Sequence, residues 1–180
     1  NADAASAAEP PEEARAVEGM SLPELIQAAD NGNPYALLPL AKKAMTKEFL
    51  DLPKARQWLE KAAAQVPQGV YGDKDATDIY LLLGGLLKNK QFDTPENRTA
   101  CHRYYSLAAE MGSGEACDEL ADQYENGYGC TADPEKAKFY RDRGAKKNDP
   151  VYLCTQCYKM LTENGSRLEL VGMLARVRTL

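Results

Sequence analysis

The chain lacks the features that mark a membrane protein, a nucleic-acid-binding protein or a metalloenzyme. No stretch approaches the roughly 20 apolar residues that a membrane-spanning helix needs. The formal net charge is −5, and the lysines and arginines form no uninterrupted cluster, which argues against binding to nucleic acid. A single histidine leaves few side chains for a zinc site. We therefore expect no transmembrane segment, no nucleic-acid partner, no metal and no cofactor.

Catalytic motifs are missing too. No glycine-rich phosphate loop follows a strand, no serine stands in a nucleophile elbow, and no His-Glu pair has metal-binding spacing. Runs of alternating β-branched residues, which would predict strands, are absent as well. Helical periodicity instead extends over every long segment. The sequence therefore predicts an all-α protein that is not an enzyme.

The first twenty residues are rich in Ala, Glu and Pro and have almost no large apolar side chains. Such a segment cannot offset the entropy cost of ordering its backbone. We predict a disordered tail, or a tag or processing remnant, over 1–20 and a single helical domain over 21–180. The Ala-rich start and the five cysteines favour a periplasmic or secreted bacterial protein, with a cytoplasmic location as the alternative.

Helix boundaries follow from capping residues, prolines and glycines. Ser21 and Glu24 form an S-x-x-E capping box, which predicts a first helix ending near Gly32. Four helix pairs follow, the last of them ending in a helix that caps the core. The segment 67–75 is an insertion after the first pair. The predicted helices of the four pairs cover 34–47, 53–65, 76–88, 95–111, 114–125, 134–147, 150–163 and 166–180.

A pattern of small residues, turn residues and aromatics recurs along the chain. An aromatic followed by small residues occurs at Tyr104 and again, one repeat length later, at Tyr140. A fixed period of this size is typical of stacked helical hairpins. Small residues such as Ala41 and Ala62 allow the two backbones of a pair to approach closely.

One segment, 116–148, shows the pattern most fully. The residues that carry it are Leu120, Tyr124, Gly127, Gly129, Asp133, Lys136, Ala137 and Tyr140. In these positions the segment resembles a Sel-one-like repeat, a relative of the tetratricopeptide repeat, and weaker copies extend the resemblance over about 21–165. The resemblance implies an α-solenoid of antiparallel helix pairs, with about four repeats and a C-terminal capping helix. It also implies a scaffold or adaptor that binds a protein or peptide on a concave face.

We expect the partner-binding residues among side chains of the first helices that are out of phase with the core. They are Tyr35, Lys42, Asp78, Leu82, Asp118, Asp122 and Gln123. Tyrosine with mixed charge suits a peptide or a partner helix. The alternative is that these residues form an ordinary solvated surface. An error of one residue in the assigned helical phase would exchange the core-facing residues and the exposed residues. We interpret neighbouring carboxylates such as Asp118 and Asp122 as solvated charges and not as an acid–base pair.

The cysteines leave three interpretations open. Cys154 and Cys157 form a C-x-x-C motif inside a helical run, where core packing, a disulfide to Cys117 or Cys130, or redox or metal chemistry would each fit. Some secreted cysteine-rich members of the family have a disulfide at the Cys117 position, but here its partner position holds Ala109. The alternative functions are a thiol–disulfide module, or an enzyme-like secreted member acting on cell-wall or β-lactam substrates.

Overall fold

The computed structural model describes residues 11–145. Over that range the chain has eight α-helices, three short 3-10 turns and no strand. The helices are α1 (Glu12–Ala16), α2 (Leu22–Asp30), α3 (Leu37–Ala44), α4 (Leu52–Ala63), α5 (Asp73–Leu87), α6 (Pro95–Glu110), α7 (Gly114–Asn126) and α8 (Pro134–Ala145). The turns are Pro34–Ala36, Val66–Gln68 and Lys90–Phe92. The helices predicted over 150–163 and 166–180 lie outside the described residues.

The chain divides into two compact units, Asn1–Asp75 and Ala76–Leu180, which we call unit 1 and unit 2. The boundary falls in the first turn of α5. Consecutive helices pack against each other inside each unit, α2 with α3 and α3 with α4 in unit 1, and α6 with α7 and α7 with α8 in unit 2. The single domain over 21–180 stays a prediction.

Capping side chains begin α2, α6 and α8, and the capping box predicted at Ser21 and Glu24 is present. The backbone N–H of Ser21 donates to Glu24 Oε2 at 2.7 Å, and the two residues form the capping box of α2. Thr94 Oγ1 accepts from the backbone of Asn97 at 3.2 Å in front of α6. Asp133 Oδ1 accepts from Lys136 in the same way at α8. Each side chain satisfies a backbone donor that the first helical turn leaves without a partner.

The tail predicted over 1–20 is wrong for the residues that the structure describes there. Residues 12–16 form α1, and Val17 is buried with Leu25, Ala36 and Leu40 in one apolar cluster. Lys43 Nζ also donates to the carbonyl of Met20 at 3.3 Å. Composition alone underestimated this segment, because α2 and α3 already supply a core that receives Val17 and packs against Met20.

Unit 2 depends on a very close approach between α5 and α6. A β carbon at Gly84 would lie 3.0 Å from ring carbons of Tyr105, and Cys101 Sγ donates to the Gly84 carbonyl at 3.3 Å. Gly84 therefore occupies a mid-helix position because no side chain fits there. Ala121, which occupies the corresponding position in α7, is completely buried.

Both helix pairs of unit 2 contain a stacked pair of tyrosines. Tyr80 and Tyr104 lie with ring centroids 6.0 Å apart, and Tyr124 and Tyr140 with centroids 5.6 Å apart and planes within 7°. Offset stacks of this kind stabilise beyond the apolar area that they bury. The recurring aromatic of the repeat is thus used for packing between its own two helices.

The two glycines of the turn after α7 have different roles. Gly127 ends the helix with φ of +68°, and a β carbon there would meet its nearest neighbour at an ordinary 3.5 Å. Gly129 also has a positive φ, +74°, but its β carbon would collide with the carbonyl oxygen of Arg98. Between them, Tyr128 Oη donates to Asp93 at 3.3 Å. The turn is therefore held directly against the start of α6.

The two glycines provide a matched pair of variants. Gly127→Ala should lower the free energy of unfolding by about 1–2 kcal/mol, the cost of a left-handed conformation for a residue with a β carbon. Gly129→Ala carries the same cost and adds a backbone collision, so we expect about 2 kcal/mol more. Urea denaturation of both variants measures the difference. Equal losses would contradict the contact between the turn and Arg98.

Candidate partner-binding site

Unit 1 has a pocket of about 250 Å³ beside α1 and α3. Three separate parts of the unit form its walls: α1 with the residues that follow it, the segment 35–42, and the segment that leads into α5. The lining residues are Ala14, Val17, Glu18, Tyr35, Leu38, Pro39, Lys42, Tyr71 and Asp75. Two of the predicted partner-binding residues, Tyr35 and Lys42, thus share one concave site.

Tyr35 is positioned by the turn that begins α3. Asn33 Oδ1 accepts from the backbone N–H of Tyr35 at 2.9 Å, and Pro34 fixes the first residue of the 3-10 turn. The Tyr35 ring is half-buried and meets Tyr71 edge to face, with centroids 5.9 Å apart and planes at 73°. An aromatic held in this way presents a rigid apolar surface to a ligand.

The insertion at 67–75 supplies the opposite wall. After the turn at Val66–Gln68, Gly69 reverses the chain with φ of +73°. Tyr71 is then buried, and its hydroxyl donates to the carbonyl of Pro34 at 2.6 Å. Burial raises the pKa of Tyr71 well above its usual range, so the hydroxyl remains a neutral donor. The loop that departs from the repeat is therefore an ordered part of the pocket.

Sequence reasoning missed most of this site. Tyr71, Glu18 and Asp75 were not predicted to bind a partner, because two of them lie in the insertion or at its end and the third in the expected tail. The signal that could have found them was weak. Val17 with Met20, and Val70 with Tyr71, are large apolar residues in otherwise small or polar segments, which indicates that those segments return to a core.

The predicted residues of unit 2 have a different environment. Asp78 and Leu82 are half-exposed on α5, whereas Asp118 is only 7% exposed. Asp122 lies 3.6 Å from Arg141 of α8, which also bonds Glu125 at 2.8 Å. The interpretation of Asp118 as a solvated charge is wrong, whereas the Asp122 side chain is still 40% exposed. Because α7 packs against both α6 and α8, much of its surface faces protein, and Asp118 is buried there.

Gln123 is a second correction, because its side chain does not face a partner. The side chain is 2% exposed, its Nε2 donates to Cys101 Sγ at 3.3 Å, and its Oε1 lies 2.9 Å from His102 Nδ1. An amide oxygen only accepts, so His102 Nδ1 carries the proton of this bond. A buried amide needs such partners, and it finds them on α6.

Replacement of Gln123 by methionine tests this network. Gln123→Met keeps the length of the side chain but removes its amide, so the His102 Nδ1–H and the Cys101 thiol lose their hydrogen bonds to that amide. We therefore expect a loss of about 1–2 kcal/mol in unfolding free energy. Gln57→Met, at an exposed position of α4, is the control and should change stability by less than about 0.5 kcal/mol. Similar denaturation midpoints for the two variants would refute the buried network.

The described cysteines differ in their surroundings. Cys101 and Cys130 have free thiols, and burial raises the pKa of Cys101 to about 11. Burial also raises the pKa of Cys130, and Cys117 lies fully buried on α7. The thiols of Cys101 and Cys130 are therefore protonated at neutral pH and react slowly. Cys154 and Cys157 lie outside the described residues, so neither their pairing with Cys117 or Cys130 nor their redox role is tested.

Within residues 11–145 no group of His, Cys, Asp and Glu side chains has the geometry of a metal site. No helix of that part of the chain is both long enough and apolar enough to cross a membrane.

Comparison with known proteins identifies the repeat. A family model described as Sel1 repeat matches residues 45–66, 79–113 and 114–149. The chain belongs to the Sel1 repeat family. The second matched segment covers α5 from residue 79 onward together with α6, and the third contains α7 and α8. The Sel-one-like resemblance seen in the sequence is thereby confirmed.

A solved structure of a Sel1 repeat protein shows the same fold. A Sel1 repeat protein from Oxalobacter formigenes is 19% identical, with a TM-score of 0.60 over 93% of this chain and 64% of that one. A second solved structure is that of c5321 of Escherichia coli, described as a protective antigen present in uropathogenic strains displaying an SLR fold. It is 19% identical, with a TM-score of 0.41 over 89% of this chain and 41% of that one. This chain spans less than two thirds of either relative. No curated protein matches the sequence. The predicted all-α fold of the α-solenoid class is confirmed.

Membership of the family has a functional consequence. Sel1 repeat proteins are generally protein-interaction scaffolds, and no catalytic family is indicated for the chain. The repeat positions are occupied by packing residues such as Gly84, Ala121 and Tyr140. A binding function of this chain must therefore lie in residues outside the repeat pattern.

Proposed function

We propose that the chain is a non-catalytic scaffold that binds a segment of another protein or a peptide, and that the pocket of unit 1 takes one side chain of that segment. The observation that carries the proposal is the pocket itself, walled by Tyr35 and Tyr71. Interface hot spots are enriched in aromatic residues that line well-packed pockets. Membership of the Sel1 repeat family supports the proposed class of function, and the pocket supports the proposed location of the binding site.

The size of the pocket favours a single side chain. Pockets for drug-sized ligands have volumes of about 300–1,000 Å³, whereas this one has about 250 Å³. Its floor is apolar, with Val17 and Leu38 buried and Pro39 half-buried, and its charged residues lie at the exposed rim. That arrangement suits an anchor residue of a polypeptide whose backbone continues along the surface.

Substitution of Tyr35 by alanine is a poor test of this proposal. Tyr35 contacts Tyr71 and packs against the core cluster that contains Val17 and Leu40. Its removal would therefore lower stability as well as binding, and the two effects would be difficult to separate. A variant that fills the pocket without removing a contact avoids this problem.

Two alanines of α1 provide such a variant and its control. Ala14 lines the pocket, whereas Ala16 is exposed and does not. Peptides selected from a random phage-displayed library against the full chain should lose about 30-fold in affinity, or about 2 kcal/mol, on Ala14→Phe. Ala16→Phe should leave affinity unchanged. Isothermal titration calorimetry measures both, and a thermal melt of each variant verifies folding.

The contrary result is equally clear. If every selected peptide binds Ala14→Phe and the wild type equally well, the pocket is not the site. If selection yields no binding peptide at all, the peptide-binding function itself is contradicted.

A further inference from the structure

The rim of the unit 1 pocket bears two carboxylates that the fold does not use. Glu18 lies just after α1, and Asp75 lies in the first turn of α5. Both side chains are exposed, and neither forms an ion pair with any residue in the described part of the chain. The acids Asp93, Glu119 and Asp122 of unit 2, by contrast, have a basic partner.

The interior of the pocket offers complementary surfaces. The rings of Tyr35 and Tyr71 form an apolar wall, and the floor contains Leu38 and Pro39. Aromatic faces attract cations as well as aliphatic chains. Lysine and arginine combine a long apolar stem with a cationic head, and they place the stem on apolar surface while the head remains at the solvent boundary.

The charges of the pocket favour the same type of side chain. Two carboxylates and the ammonium group of Lys42 give the lining a formal charge of one negative unit. An acidic occupant would meet two like charges, and a purely apolar occupant would gain nothing from the rim. Lys42 limits the preference to one cationic group, because a second cation in the pocket would lie near the Lys42 ammonium group and be repelled by it.

We propose that the pocket is specific for the side chain of a lysine or arginine in the partner segment, with the apolar stem against Tyr35 and Tyr71 and the head between Glu18 and Asp75. This proposal rests on the proposed function, since it names the chemistry of the residue that the same pocket accepts. The partner is accordingly a polypeptide with an exposed basic residue.

The test uses the full chain, the selected peptides and two charge-matched double variants. Glu18→Gln with Asp75→Asn removes both rim carboxylates. Glu12→Gln with Asp30→Asn removes one Glu and one Asp at exposed positions of unit 1 that do not line the pocket, so it changes the net charge equally. We expect the peptides that depend on Ala14 to contain a Lys or Arg. Their affinity should fall about 10-fold in the rim variant, since two partly exposed ion pairs are lost, and by less than about 2-fold in the control.

A second arm tests the peptide side of the contact. Replacement of the basic residue of a selected peptide by norleucine keeps the apolar stem and removes the charge. Its affinity for the wild type should fall by the same factor, about 10-fold, and the rim variant should then no longer discriminate between the two peptides.

Three outcomes would overturn the proposal. Peptides that need the pocket but contain no basic residue would exclude basic specificity while leaving the scaffold function intact. Equal effects of the rim variant and the control would do the same, because only the net charge would then matter. Selection without any binding peptide would contradict both this proposal and the proposed function.

Discussion

The close approach of paired helices is the constraint on which the rest of unit 2 depends. At Gly84 the backbone of α5 lies so near to Tyr105 that a β carbon would contact the ring. The thiol of Cys101 donates to the Gly84 carbonyl from the same side. At this distance the tyrosines at the edge of the pair, Tyr80 and Tyr104, can stack. Small residues such as Gly84 let the paired helices approach closely, and the aromatic pairs form at that distance.

The same closeness decides where binding can occur. Side chains of α7 face helices on two sides, so Gln123 is engaged with α6 and Asp122 with α8. The buried amide of Gln123 bonds within the fold and cannot also recognise a partner. In unit 1 an insertion interrupts the tight pattern, and Tyr71 returns from it to the carbonyl of Pro34. A pocket with unused carboxylates arises where the repeat is broken, which is where a scaffold can acquire specificity without loss of its core.

Much of the fold could be read from the sequence because the signals are local. The S-x-x-E capping box predicted a helix start from two residues three positions apart, and the bond from the Ser21 backbone N–H to Glu24 is present in front of α2. The site was harder, since it is formed by α1, the segment 35–42 and the insertion, and no local pattern reports that these meet. Gln123 and Asp118 were assigned to the wrong face of α7. Helical periodicity separates the buried face from the exposed face when a helix packs against one neighbouring helix, whereas α7 packs against two.

The most direct test of the account is amide hydrogen–deuterium exchange of the full chain with and without a selected peptide. The account predicts slower exchange on binding in 14–18, 34–42 and 66–75, the three segments that contain the pocket lining, with no comparable change in α7 and α8. Protection confined to α7 and α8, with the pocket segments unchanged, would contradict the assignment of partner binding to unit 1.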